Sequence, residues 1–159
     1  MCRSAWLPRS QMPNLPALAQ EKRPGQRHDG ISGTHTVSDA AIRETAEETG
    51  LRLRPDQVRC VTVVHHRGPG GQARIGWFFA AEPGWRGDPV NREPAKHAGL
   101  VWIDPAEPPG NLVAYTWAGL RAWRSGAPYA IHFQEPDSPV RYEPDHESGL
   151  TLLGLPAHR

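Results

Sequence analysis

Residues 43–51 read RETAEETGL and place three glutamates, Glu44, Glu47 and Glu48, in the last turns of a predicted helix. Carboxylates there face the negative end of the helix dipole, where lysine or arginine would be favoured. Each like-charge pair at a spacing of three or four residues also costs roughly 0.2–0.5 kcal/mol. A local rule that is broken without visible compensation often marks a functional site, so the stretch indicates more than a charged surface.

The ends of this helix are marked in the sequence. Thr36 and Asp39 are typical of an N-cap pair, and the apolar residues that follow carry the helix forward. Gly50 supplies the left-handed residue that ends many helices. Ile42 and Ala46 lie opposite the glutamates and are predicted to face the core.

The three carboxylates share one narrow face of the helix. At about 100° per residue, Glu48 lies about 40° from Glu44, and Glu47 lies about 60° on the other side of Glu44. A solvated charged face explains most glutamate pairs on helices, but it fits three acids near a C-terminus poorly. A divalent cation resolves the conflict, because Mg²⁺ and Mn²⁺ take carboxylate oxygens together with water and substrate phosphate. Bound metal polarises a phosphoryl oxygen and activates water, so the pattern predicts hydrolysis of a phosphate anhydride.

The same stretch resembles the second half of the Nudix box of MutT-like hydrolases. That box runs Gly, five residues, Glu, seven residues, then Arg-Glu-aliphatic-x-Glu-Glu-x-Gly-aliphatic. Thr45 replaces the usual aliphatic residue. The residues that match are Arg43, Glu44, Glu47, Glu48, Gly50 and Leu51.

The resemblance implies roles for particular side chains. Glu44 and Glu48 would be metal ligands, and Glu47 would be a further ligand or the base that takes a proton from water. Arg43 would orient the glutamates through charge-assisted hydrogen bonds. Glu93, in a distant loop, is a candidate ligand or base.

A second, weaker resemblance covers residues 91–96 (NREPAK), which lead into 100–104 (LVWID). This segment is similar to a loop and strand of Nudix enzymes that act on nucleoside triphosphates and related nucleotides. Asn91 and Lys96 are the candidate substrate-binding residues there, and a solvent-exposed loop is an equally good interpretation. Trp77 is the tryptophan that could face a nucleotide base.

The first half of the box is altered. Asp29 stands where the pattern has glycine, and His35 stands where it has glutamate. Residues 1–35 also lack strand-favouring residues over most of their length, so irregular structure, or a short helix near residues 15–21, is predicted. Our hypothesis is that this segment is not the authentic family N-terminus, through a shifted frame, a wrong start or a fusion scar.

The rest of the chain predicts alternating strands and helices. Residues 57–66 form a valine-rich strand with residues 73–81 as hairpin partner, and 100–104 form a short strand. Asn111 caps a final helix that ends at Gly126. His65 and His66 point to opposite strand faces, so they do not readily ligate one ion, and polar strand-end positions are the interpretation.

The predicted fold class is α/β, a Nudix-like α/β/α sandwich with a mixed sheet from which the N-terminal strands are missing. The predicted domains are an irregular segment 1–35, a Nudix-like domain 36–135 and a loosely ordered tail 136–159.

Composition narrows the partners. Eighteen basic and seventeen acidic residues give a net charge of +1, which offers no argument for a nucleic-acid duplex or an anionic membrane as partner. Two cysteines make no disulfide framework, so a reduced, cytoplasmic chain is expected. No apolar run is long enough to span a bilayer.

The predicted function is Mg²⁺- or Mn²⁺-dependent hydrolysis of a nucleoside diphosphate linked to another group, by attack of metal-activated water on phosphorus. A nucleoside triphosphate pyrophosphohydrolase is one candidate activity. The alternative is a catalytically impaired Nudix-like module that binds a nucleotide or a protein. The sequence specifies neither the nucleotide nor the oligomeric state.

Overall fold

The computed structural model describes residues 17–21, 36–82, 84–85, 88–95, 97, 99–101, 103–109, 112–135 and 149–154. Neither α-helix in these ranges is long and apolar enough to cross a membrane. Two α-helices and five strands are formed by these residues. In chain order the elements are β1 (Ala17–Glu21), α1 (Val37–Thr49), β2 (Val58–Arg67), β3 (Ala73–Ala81), α2 (Ala114–Arg124), β4 (Tyr129–Phe133) and β5 (Leu150–Leu153).

The five strands form one sheet in the order β1-β3-β2-β4-β5. β2 and β4 are parallel, whereas the other three neighbouring pairs are antiparallel. The sheet is therefore mixed, and the predicted α/β fold class is confirmed. The predicted hairpin of β2 with β3 is also confirmed, as are α1 and the final helix α2. Asn111, the predicted cap of α2, lies outside the described residues.

The two helices pack on opposite faces of the sheet. Phe78 of β3 lies in the larger core, where it contacts Tyr115 of α2. Ala81, three residues further along β3, lies in a smaller core with Leu51, and Ile42 of α1 packs against that core. Because strand residues an odd number apart face opposite sides, the sheet separates α1 from α2.

α2 approaches the sheet closely at two glycines. A Cβ atom at Gly76 would overlap the hydroxyl group of Tyr115, and one at Gly119 would overlap the ring of Phe78. The aromatic rings therefore occupy the space that ordinary side chains would take. This close packing fixes α2 against the middle of the sheet.

The prediction for the N-terminal segment is wrong at residues 17–21. These residues form β1, which pairs with the outer edge of β3, and not a short helix or irregular chain. Strand formation here follows from the unpaired backbone groups that β3 offers, which outweigh the weak strand propensity of ALAQE. The sheet therefore includes one strand from the segment 1–35, in which no strand was predicted.

The predicted strand at residues 100–104 is also wrong. Its described residues lie in a loop, with Val101 70% exposed, while Leu100 packs against the smaller core. The position beside β2 that such a strand could take is occupied by β4. Leu100 therefore anchors a loop through burial, without strand pairing.

Two strands at the C-terminal side were not predicted. β4 pairs in parallel with β2, and β5 pairs with β4 at the edge of the sheet. β5 lies within the segment 136–159 that was predicted to be loosely ordered, so that prediction is wrong for Leu150–Leu153. Pairing with the free edge of β4 supplies the backbone hydrogen bonds that stabilise this short strand.

A buried histidine pair joins β2 to β4. His66 and His132 are register partners, each 3% exposed, with their Nδ1 atoms 3.0 Å apart. Burial, and then the neighbouring His132, lowers the pKa of His66 to about 4, and burial lowers the pKa of His132. His65 and His66 lie near the end of β2, as predicted, but the burial of His66 was not foreseen, because strand β4 beside it was not predicted.

Candidate active site

The helix that carries the glutamates is fixed at both ends. At its start, the Asp39 N–H donates to Thr36 Oγ1 over 3.2 Å and the Thr36 N–H donates to Asp39 Oδ2 over 2.7 Å, which is a complete capping box. At its end, Gly50 has a φ of 74° and its N–H donates to the Ala46 carbonyl. The predicted N-cap pair and C-terminal glycine are both confirmed.

Threonines line the inner side of α1. Ala41, Thr45 and Thr49 form the buried stripe of the helix. The hydroxyl of Thr45 donates to the Ala41 carbonyl over 2.6 Å, and the hydroxyl of Thr49 donates to the Thr45 carbonyl over 2.6 Å. Thr45 is thus accommodated at the aliphatic position of the box, because its polar group is satisfied within the helix.

A loop docks on the C-terminal end of α1. The Val90 N–H donates to the Thr49 carbonyl and the Arg92 N–H donates to the Glu48 carbonyl, both over 2.9 Å. The last carbonyl groups of a helix have no hydrogen-bond donor within the helix, so the loop supplies donors to two of them. These two bonds carry the segment containing Glu93 to the glutamate-bearing end of α1.

The same loop places a positive charge at the C-terminal end of α1. The last turn of α1 has no basic residue of its own. The guanidinium group of Arg92 packs over Gly50, so close that a Cβ atom at Gly50 would lie 2.6 Å from Arg92 Nε. A cation at the negative end of the helix dipole partly compensates for the clustered acids. Sequence analysis missed this role, since Arg92 is distant in sequence.

Asn91 organises the turn that follows. Its Nδ2 donates to the His97 carbonyl over 2.6 Å, and its Oδ1 accepts from the Glu93 N–H over 3.1 Å. The His97 N–H also donates to the Glu93 carbonyl over 3.0 Å. The amide of Asn91 therefore holds Glu93 and His97 on one turn. Its predicted contact with substrate stays a prediction.

Glu48, Glu93 and His97 form the candidate metal centre. The potential ligand atoms of these three half-buried residues lie within 4.8 Å of one another. Glu48 comes from the helix and the other two come from the loop, forty-five or more positions away in the sequence. The structure thus brings the predicted residues Glu48 and Glu93 together and adds His97, which the sequence analysis missed. The only sequence signal for His97 is its spacing of four from Glu93.

Arg43, Glu44 and Glu47 are the other charged residues of the box. Arg43 lies 4.0 Å from a carboxylate oxygen of Glu44 and 3.9 Å from one of Glu47. The side chains of Arg43 and Glu47 are 64% and 57% exposed, respectively. Arg43 is therefore near both acids, as an orienting role requires, although these separations are longer than hydrogen bonds.

The remaining predicted substrate residues are Trp77 and Lys96. Trp77 lies on β3 opposite Val63, on the sheet face turned away from α2, and is 38% exposed. An exposed indole on a sheet offers an apolar surface to a ligand ring. Lys96 lies outside the described residues.

The donor set suits a hard divalent cation. Two carboxylates offer oxygen ligands of the kind that Mg²⁺ and Mn²⁺ take, and an imidazole nitrogen offers a third position. Glu48, Glu93 and His97 are half-buried and not sealed in the interior. The residues that converge here therefore fit the metal that the sequence led us to expect.

The fold and the site define the class of protein: an α/β protein in which a capped helix and a docked loop present carboxylates at a common point. A comparison with protein-family models finds the NUDIX domain over residues 29–122, more than half of the chain. The chain belongs to the NUDIX family, and a hydrolase of nucleoside diphosphate derivatives is the general function that this family supports. The family resemblance expected from the glutamates is confirmed.

The matched region contains α1, the hairpin, the docked loop and most of α2. It begins at residue 29, seven positions before residue 36, where the sequence analysis placed the start of the Nudix-like domain. It therefore includes Asp29 and His35, the positions that depart from the box. Searches of curated proteins and of solved structures gave no significant match.

Proposed function

We propose that the chain is a hydrolase, dependent on Mg²⁺ or Mn²⁺, that cleaves a nucleoside diphosphate linked to a second group. Pyrophosphohydrolysis of a nucleoside triphosphate is one form of this activity. One observation carries the proposal: Glu48 of α1 and Glu93 of the loop, distant in sequence, meet with His97 at a half-buried point. Membership of the NUDIX family supports the same reaction class.

We assign different roles to the glutamates because their surroundings differ. Glu48 and Glu93 would hold the cation, and Glu44, half-buried one helical turn before Glu48, would add a carboxylate on the same face. Glu47 is the most exposed of the helix acids and is the candidate base for the attacking water. Arg43, near Glu44 and Glu47, limits the positions that these side chains take.

A bound divalent cation would neutralise the carboxylates, polarise a phosphoryl oxygen and lower the pKa of water. The chain itself contributes placement. The backbone bonds from Val90 and Arg92 to the end of α1 fix the loop before substrate arrives. Preorganisation of this kind lowers the entropic cost of bringing the reacting groups together.

The proposed substrate-binding residues lie on β3 and on the docked loop. Trp77 offers an exposed ring for a nucleotide base, while Asn91 and Lys96 are the candidates on the loop. The cytoplasm, where nucleotides are abundant, is the proposed location. We propose a small nucleotide as the partner, and not a nucleic-acid duplex.

The alternative is a NUDIX domain that binds a nucleotide or a protein without hydrolysing it. Asp29 and His35, in place of the glycine and the glutamate of the box, favour this alternative. Helix α1 and its three glutamates, complete at both caps, favour the enzyme. A direct assay separates the two.

The test is incubation of the chain with a panel of nucleoside triphosphates, sugar nucleotides and dinucleotides, with Mg²⁺ or Mn²⁺. The variants Glu48→Gln and Glu93→Gln remove one charge each while keeping size, and exposed Glu107→Gln is the matched control. We expect phosphate release from wild type and Glu107→Gln, with a fall of at least about 100-fold in the other two.

Two outcomes would contradict the proposal. Equal release from wild type and from Glu48→Gln would remove the helix from catalysis. Nucleotide binding without any release, across the whole panel and both metals, would favour the binding module. A version carrying the glycine and glutamate at positions 29 and 35 shows whether those departures limit the rate.

A further inference from the structure

We propose that His97 supplies a nitrogen ligand to the same cation as Glu48 and Glu93, and that this ligand makes the site prefer Mn²⁺ to Mg²⁺. The inference rests on the proposed function, since both use one cation at one place.

The geometry of the three side chains supports this assignment. A six-coordinate ion with ligands at about 2.1 Å has neighbouring ligand atoms about 3 Å apart and opposite ones about 4.2 Å apart. The ligand atoms of Glu48, Glu93 and His97 all lie within 4.8 Å of one another. Small side-chain rotations are therefore enough to bring all three onto one ion.

A simple ion pair between His97 and Glu93 explains the arrangement less well. His97 Nε2 lies 3.9 Å from Glu93 Oε2, which is beyond hydrogen-bonding distance. This separation allows only a loose ion pair, and the ligand atom of Glu48, from a different element, lies within 4.8 Å of those of both residues. Three donors around one point are what a coordinated ion needs.

The loop holds His97 in place through its backbone. Its carbonyl accepts from Asn91 Nδ2 over 2.6 Å, and its N–H donates to the Glu93 carbonyl over 3.0 Å. Both bonds exist without any contribution from the imidazole ring. Backbone hydrogen bonds therefore position His97 at the site, and neither nitrogen atom of its imidazole ring takes part in them.

The choice of metal follows from the donor type. Mg²⁺ takes oxygen ligands and keeps much of its water. Imidazole suits the later first-row metals best, and Mn²⁺, which begins that series, accepts one nitrogen among oxygen ligands more readily than Mg²⁺ does. Two carboxylates alone would give little preference between Mg²⁺ and Mn²⁺. One nitrogen in the set strengthens the binding of Mn²⁺ and leaves the binding of Mg²⁺ nearly unchanged.

The test measures metal binding directly on the full chain, without substrate. Calorimetry gives the Kd of Mn²⁺ and of Mg²⁺ for wild type, His97→Gln, Glu48→Gln and the control His65→Gln. Pulsed electron paramagnetic resonance of bound Mn²⁺ shows whether a nitrogen atom is coordinated. Circular dichroism checks that each variant is folded.

We expect a nitrogen coupling to Mn²⁺ in wild type and in His65→Gln, and its loss in His97→Gln. The affinity of His97→Gln for Mn²⁺ should fall at least about tenfold, because even outer-shell partners of a metal contribute about 10–100-fold. Its affinity for Mg²⁺ should change little, since the new amide offers an oxygen in place of the nitrogen.

The result that overturns the inference is Mn²⁺ bound through Glu48 with no nitrogen coupling in wild type. That spectrum is recorded on the wild-type chain, so it does not depend on the folding of any variant. It would not contradict the proposed hydrolase function. Absence of any Mn²⁺ or Mg²⁺ binding that depends on Glu48 would instead overturn both proposals. The failure of the nitrogen ligand and the failure of the metal site are therefore distinguishable.

Discussion

The guanidinium group of Arg92 packs over Gly50, the left-handed residue that ends α1. This contact joins the loop that carries Glu93 and His97 to α1. It also places a positive charge at the negative end of the helix dipole. It also makes Gly50 necessary for two separate reasons, its φ of 74° and the lack of space for a Cβ atom.

These two reasons can be separated by a double-mutant cycle. Gly50→Ala should lower the free energy of unfolding by about 1–3 kcal/mol, because alanine is strained at this φ and also meets Arg92. In an Arg92→Ala background the steric part disappears, so the same substitution should cost less. Urea denaturation of the four chains measures both costs. Identical costs in the two backgrounds would mean that Arg92 does not pack over Gly50.

Asn91 tests whether the loop amide acts by positioning or by touching substrate. Asn91→Ala removes two hydrogen bonds to the turn of Glu93 and His97, so the affinity for Mn²⁺ should fall several-fold and kcat should fall with it. If Asn91 only contacts substrate, as the sequence led us to expect, KM should rise while the metal affinity stays unchanged. Calorimetry and steady-state kinetics on one preparation distinguish the two.

The contact of Gly76 with Tyr115 predicts a large effect from one added methyl group. Gly76→Ala should destabilise the fold by about 1–3 kcal/mol, because its Cβ atom would overlap the tyrosine hydroxyl. In a Tyr115→Phe background the penalty should shrink. Gly99→Ala is the control, since a Cβ atom there meets nothing within 4 Å. Thermal unfolding that is the same for Gly76→Ala and Gly99→Ala would contradict this packing.

The pair His66–His132 predicts acid sensitivity. The pKa of His66 is about 4 in the folded chain against an ordinary value of 6.5, so the unfolded chain binds more protons between these values. Stability should therefore be fully present above about pH 6.5 and should fall as the pH falls towards 4. The melting temperature across this window measures the loss.

The matched variants for this pH dependence are His66→Asn and His65→Asn. Asparagine at position 66 keeps a nitrogen near His132 Nδ1 but does not titrate, so the fall between pH 6.5 and 4 should be shallower. His65 is half-buried on the other face, and its substitution should leave the slope unchanged. A slope in His66→Asn equal to that of wild type would assign the acid sensitivity to other groups.

Local signals were enough to predict the helix and the hairpin. The capping box of Thr36 with Asp39 and the glycine at position 50 define α1 through hydrogen bonds within a few residues. The hairpin is similarly local, with a glycine-rich turn between two strands of high β-propensity. Where the determining contacts lie close in sequence, the pattern is sufficient.

Contacts between distant residues explain the errors. β1 is a strand because β3 offers it an edge, and His66 is buried because β4 pairs beside it. Neither effect can be read from the local residues. In the same way, Glu93 could be suggested only by family resemblance, and His97 became evident only once the loop was seen to turn back towards Glu48.

The parallel pairing of β2 with β4 has a consequence for how the molecule reaches its native state. Parallel neighbours cannot be joined by a tight turn, and here everything from β3 to α2 lies between them. Closing so long a loop carries an entropic cost that only the later contacts repay, which slows folding. We expect the hairpin to form early and the crossover to close late. The loop that carries Glu93 and His97 lies inside that crossover, so the geometry of the candidate metal centre would be among the last features to mature during folding.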